Sequence, residues 1–160
     1  MAIGLTSTKN PETAKKILAN IKDSNIIRPQ DASRWFVYLI RTRENRQIAW
    51  NWLKENWAWV EDKFGEDKSY DDFIRYAATA PLTNNELNDF RQFFEPMKNI
   101  PALTRTIKLG ITEISARAEL IKRDKEAVIL FVDNDRFKLM PKCFVRFAFF
   151  PYTPQYQLTF

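Results

Sequence analysis

Between Ala49 and Gly65 the chain reads AWNWLKENWAWVEDKFG, which places four of its five tryptophans, Trp50, Trp52, Trp57 and Trp59, on one short segment. On a helical wheel, Ala49, Leu53, Trp57, Val60 and Phe64 fall within about 80° of one another, with Trp50 just beyond. Trp52 and Trp59 flank the other side, so the apolar arc is on the order of 200° wide. Gln47, Asn51, Lys54, Glu55, Ala58 and Asp62 complete the wheel. A helix this broadly apolar has to be gripped on two sides, as in stacked helical pairs. The indoles therefore read as packing between helix layers. Stacking on bases or sugars, the competing use, belongs more often to strand and loop surfaces.

The rest of the chain carries the same helical period. Asn10-Pro11 reads as an N-cap with proline at the first helical position. Ala14, Ile17, Leu18 and Ile21 follow at i, i+3, i+4 and i+7. Pro29 opens a second helix through Trp35, Phe36, Leu39 and Ile40. The tryptophan helix runs from near Asn45 to Gly65, a glycine that suits a left-handed C-cap. A fourth helix sets Tyr70, Phe73, Ile74 and Ala77 on one face. Thr83 and Glu86 spell a capping box, with Leu82 and Leu87 as the hydrophobic staple around it; Leu87, Phe90 and Phe94 then hold the stripe until Pro96. A long sixth helix starts near Pro101 and carries Leu103, Ile107, Ile111, Ile114, Ala118 and Ile121. Gly110 lies on its apolar side, where it permits close approach of another helix. The predicted core includes Trp35, Leu53, Trp57, Val60, Phe64, Phe90, Ile107 and Ile114.

Composition agrees. Three glycines among 160 residues, with 28% charged, favour helices over turn-rich β structure. The length allows one ordinary domain with a sizeable core. Past Val128 the character changes. Residues 129–160 hold seven of the thirteen phenylalanines and three of the eight prolines, without a helical stripe. Phe144, Arg146, Ala148 and Phe150 alternate with Val145, Phe147 and Phe149, which reads as one or two strands or as an aromatic arm laid on helices. The domain division expected is thus 1–128, helical, and 129–160, a tail of unassigned role.

Several function classes are excluded on residues. The chain has no histidine, which removes the commonest general base, the commonest zinc ligand and every imidazole-dependent triad. Asp133-Asn134-Asp135 begins like a calcium loop, but Lys138 and Phe144 stand where glycine and glutamate are required. Asp71-Asp72 and Glu61-Asp62 are adjacent, and neighbours on a helix do not converge on one atom. Neither a phosphate loop nor a dinucleotide fingerprint occurs. The net charge of +5 is spread among interleaved signs, not gathered into the basic face that nucleic acid needs. No apolar run is long enough for a membrane span. Cys143, the single cysteine, suits a reducing cytoplasm and reads as a buried thiol. No catalytic residues, metal ligands or cofactor site are expected in this chain.

The order of these elements resembles a known family. IRPQDASRWFVYLIRTRENRQIAWNWLKENWAWVEDKFG looks like the start of the closing segment of the C-terminal domain of the zinc aminopeptidase N (membrane alanyl aminopeptidase) family. LTNNELNDFRQFFEP and ALTRTIKLGITEISARAELIKRDKEAV resemble its next landmarks. ENRQ, where a proline-glycine turn is frequent in the family, points to the type found in lactic acid bacteria and streptococci. The resemblance covers about Gly4 to Val128. It implies an all-α fold: a HEAT- or armadillo-like α-superhelix fragment of stacked antiparallel helices, here with an irregular or β-like C-terminal arm. It also implies a non-catalytic role, covering the active site of a cytoplasmic metallopeptidase and shaping its peptide chamber. The zinc, with its H-E-x-x-H motif, belongs to the parent's catalytic domain; the implied partners are that domain and a peptide substrate, not nucleic acid or membrane. Arg28 and Gln30, at the R-x-Q-D-like helix start, are the residues the resemblance aims at the chamber; helix capping and surface pairing are their alternative roles. The rival function is a free-standing helical-repeat module that binds protein or peptide on its concave face. MAIGLTSTKN begins without a polar cap, as expected of a stretch whose preceding helices lie elsewhere. That uncovered layer and the phenylalanine-rich tail predict self-association, unless the tail folds back as a cap.

Overall fold

Asn10 accepts hydrogen bonds from the backbone N–H groups of Glu12 at 2.9 Å and Thr13 at 3.3 Å, and the first long helix starts there. The computed structural model describes residues 2–67 and 69–133. They form α1 (Ala2–Thr6), α2 (Pro11–Asn20), α3 (Pro29–Arg41), α4 (Arg46–Glu55), α5 (Trp57–Phe64), α6 (Tyr70–Ala77), α7 (Asn84–Phe94) and α8 (Pro101–Asp133), with a 3-10 turn at Glu95–Met97. Among the described residues there is no strand, so the fold is all-α. The strand-like reading of residues 134–160 lies outside the described residues.

α3 is the hub of the packing. It lies against α1, α2, α4 and α6, while α2 also packs on α4 and α5 on α6. One apolar cluster runs through these layers from Ala14 to Ile114. Phe36, Phe73, Phe90, Phe94, Leu53 and Ile114 are wholly buried in it. The capping box is present in full: Thr83 Oγ1 accepts from the Glu86 N–H at 3.3 Å, and Glu86 Oε2 accepts from the Thr83 N–H at 2.9 Å. α8 is drawn in at Gly110, where an added Cβ would stand 3.0 Å from the Ala78 Cβ and 3.2 Å from Phe90 Cζ. Arg117, further along α8, donates to the carbonyls of Ala78 at 3.1 Å and Pro81 at 2.8 Å, closing the turn between α6 and α7.

Four expectations change. The tryptophan helix is two helices, because Asn56 leaves helical geometry at φ −113°, ψ 17°. Its Nδ2 donates to the Trp52 carbonyl at 2.8 Å, while Lys22, in the turn after α2, donates to its Oδ1 at 2.9 Å. An asparagine side chain that bonds its own preceding turn competes with the helix ladder. Gly65 is not a left-handed cap: it sits at φ −55°, ψ −28°. Its role is clearance, since a Cβ there would come within 2.6 Å of the Glu61 carbonyl oxygen. Trp35 is half-buried rather than core, because it lies roughly a quarter turn from the centre of the Ala32–Phe36–Leu39–Ile40 stripe; it packs on the core by one edge. Finally, helical character does not end at Val128. α8 runs to Asp133.

By contacts the chain divides into residues 1–119 and 120–160. The described part of the second unit is the last stretch of α8. There Leu120 and the run Val128 to Val132 are all exposed by about half.

Candidate functional site

The tryptophans are structural. Trp50 stacks on Phe90 at 5.8 Å and 19°, and Trp57 stacks on Tyr70 at 5.7 Å and 29°. Phe93 and Phe94 meet Trp57 edge-on. Such pairs hold geometry as well as burying area. Trp50 donates its Nε1–H to Asp89 at 2.6 Å, and Lys54 joins the same carboxylate at 3.0 Å. Burial pushes the Asp89 carboxyl up, but these hydrogen bonds and the Lys54 charge together outweigh it and hold the group below its ordinary value. Tyr70 is pushed up to about 12 by burial and by the neighbouring Glu61 carboxylate, to which its hydroxyl donates at 3.4 Å. Trp50 and Trp57 are each only 7% exposed, which leaves little of either ring for a ligand.

The structure places Leu53, Val60, Phe90 and Ile114 at zero exposure, and Trp57, Phe64 and Ile107 at 7%, 4% and 3%. It separates the two chamber candidates. Arg28 is the residue before Pro29 and makes no capping bond. Its side chain is 76% exposed and pairs with Asp31 at 3.5 Å. Gln30, also exposed, lines a cleft of about 310 Å³ between α3 and α6, together with Ser33, Arg34, Val37, Tyr38 and Arg41 and, across from them, Asp72 and Tyr76.

That cleft is polar because α3 has two faces. Ala32, Phe36, Leu39 and Ile40 point into the core. Gln30, Arg34, Tyr38 and Arg41 follow at i, i+4, i+8 and i+11, a second row up the same helix. Asp72, on the far wall, is ion-paired with its α6 neighbour Arg75, which does not itself line the cleft. Burial lowers the Arg75 value, but Asp72 foremost, then Tyr76 and Asp71, raise it further, so its guanidinium is held charged. Sequence reasoning found only Gln30 here. The periodic row was legible, but the concavity opposite it depends on α6, which lies more than thirty residues away. Chemically the cleft can bind and orient; it holds no nucleophile–base pair. Among the described residues no three carboxylate, thiol or imidazole side chains gather to hold a metal ion. No described helix is long and apolar enough to cross a membrane.

These features define an all-α domain of stacked helices with a polar cleft and no metal centre among its described residues. Residues 1–116 match the family model of the ERAP1-like C-terminal domain, and the chain belongs to that family. It is similar to aminopeptidase N of Lactobacillus helveticus, 34% identical over 124 residues, covering 78% of the chain and 15% of that protein. Aminopeptidase N of Lactococcus lactis subsp. cremoris (strain MG1363) is 39% identical over 121 residues, 75% of the chain and 14% of the relative. Glutamyl aminopeptidase of Rattus norvegicus is 25% identical over 125 residues, 78% of the chain and 13% of the relative. The chain thus spans about one seventh of the length of the lactic-acid-bacterium relatives it matches.

Proposed function

We propose that this chain is the non-catalytic closing part of a cytoplasmic zinc aminopeptidase, covering the active site and shaping the chamber through which peptides reach it. Its partners in this reading are the catalytic domain, which carries the zinc, and the peptide substrate. The observation that carries it is the position of Gln30, the residue aimed at the chamber by resemblance, on the wall of the α3–α6 cleft. Arg28, the other residue aimed at the chamber by resemblance, does not line that cleft and pairs with Asp31 instead. The reading is tested by mixing the chain with aminopeptidase N of Lactococcus lactis truncated before the matching segment. Association, with recovered hydrolysis of an aminoacyl reporter, is the expected result, while the chain alone turns over nothing and retains no stoichiometric zinc. Failure to associate, or turnover by the chain alone, overturns it.

One observation favours the rival, a free-standing helical-repeat module that binds peptide: both walls of the cleft come from this chain, so it needs no other domain to exist. Peptide capture by the chain without any affinity for the truncated enzyme is the result that selects it. In either case we propose self-association through the N-terminal layer, where Leu5 is half exposed, or through the phenylalanine-rich tail after Val128. Light scattering at tens of micromolar decides, a clean monomer being the result against it.

A further inference from the structure

The α3 wall of the cleft is cationic without being neutralised. Asp72 is the one carboxylate among the described residues that line it, and it is paired with Arg75. Among the described residues neither Arg34 nor Arg41 has an ion-pair partner. Arg41 instead lies 5.0 Å over the Tyr76 ring, and Arg75 lies 5.1 Å over the same ring. The ring quadrupole attracts each guanidinium, but it supplies no negative charge to pair with Arg41, whereas Arg75 already has Asp72. Arg34 and Arg41 are seven residues apart, about 10 Å along the helix axis. A peptide extended as polyproline II rises about 3.1 Å per residue with three residues per turn, so two carboxylates three residues apart lie on one face and span about 9 Å, close to the same distance. Guanidinium groups also match carboxylates as planar two-pronged donors. Gln30 and the Tyr38 hydroxyl line the same row and supply neutral donors and acceptors for a peptide backbone.

From this arrangement we infer that the α3–α6 cleft is a carboxylate-binding subsite that takes an acidic peptide in extended form, with Arg34 and Arg41 pairing its carboxylates. The inference rests on the peptide-chamber reading for the ligand being a peptide. Two isolated cations do not make the continuous basic track that a nucleic acid backbone needs.

The test is a titration of the full chain, isotope-labelled for NMR, with the capped peptide acetyl-Glu-Ala-Ala-Glu-amide and its Gln-Ala-Ala-Gln counterpart. The Glu peptide is expected to shift the Arg34 and Arg41 side-chain signals and to bind roughly tenfold tighter than the Gln peptide. Arg34→Gln and Arg41→Gln should each erase most of that difference. Arg41→Lys, which keeps the charge but loses the fork, should erase part of it, and Lys15→Gln on α2 none. If the Gln peptide with a free C-terminal carboxylate recovers the affinity, the chain terminus is a source of the anion and the subsite stands. Equal binding of the Glu and Gln peptides, or arginine variants that change nothing, overturns it. The association experiment with the truncated aminopeptidase is scored separately. Lost carboxylate selectivity with intact association removes the subsite alone, and lost association with intact selectivity removes the chamber reading alone.

Discussion

The two stretches of α8 differ in how their apolar residues are spaced. From Pro101 to Glu119 they recur at the helical period, and Leu103, Ile107, Ile114 and Ala118 are buried while Leu109 is left at 51% exposure. From Leu120 onward the spacing gives way to a run of five, Val128 to Val132, each 46% to 64% exposed. A stripe can be covered by one layer of neighbours, whereas consecutive residues point to every side of a helix. Hydrophobicity alone therefore does not bury a residue here; period does. The same stretch of continuous helix holds both outcomes.

The comparison breaks if the first stretch proves dispensable. Trp57→Ala, in the layers that stretch helps to close, is expected to cost about 3 to 5 kcal/mol, and Ile114→Ala about 2 to 5 kcal/mol, by urea unfolding. A loss below about 1 kcal/mol at either site would mean that the period does not mark burial. Gly110→Ala tests the close approach: the added methyl meets the Ala78 Cβ at 3.0 Å, which should cost about 1 to 3 kcal/mol by overpacking. An unchanged midpoint would show that the helices separate freely there. Acid adds a pH arm. Asp89 is held below its ordinary value, so its contribution is present above the unfolded carboxylate value near about 3.9 and is lost as pH falls through the lower folded value. Asp89→Asn should flatten that acid limb of stability, and an unaltered limb would remove Asp89 as its source. Smallest of all, Leu130→Ala should move stability by no more than about 0.5 kcal/mol. A larger loss would mean that the run is covered in solution, and the contrast within α8 would close.

What the sequence made legible was local. Asn10, Pro29 and the Thr83–Glu86 box mark helix starts through bonds made within a few residues, and Gly110 announced a close contact by its place on the apolar stripe. What it hid was set at a distance. The break at Asn56 is held by its bond to the Trp52 carbonyl, and Lys22, thirty-four residues earlier, takes up the other end of the same side chain. Gly65 looked like a handedness signal and is a matter of clearance from the carbonyl one turn back. The split of Arg28 from Gln30 follows from the helix start itself: Arg28 precedes the first turn and pairs locally with Asp31, while Gln30 already belongs to the row that faces α6. Arg34, Tyr38 and Arg41 were passed over because a charged row on a helix usually faces water, and only the position of α6 makes this one a wall.

All five tryptophans lie at or before position 59, and the four in α4 and α5 are in ring contact with other aromatics. The Trp57 indole nitrogen is buried without a hydrogen-bond partner among the described residues, a dry setting that shifts emission to the blue. The tryptophan fluorescence of this chain therefore gauges its helices up to α5, while circular dichroism registers every turn of α8 that is lost. Two melting curves recorded on one sample, one by light emitted and one by helicity, separate where the two stretches of α8 part company.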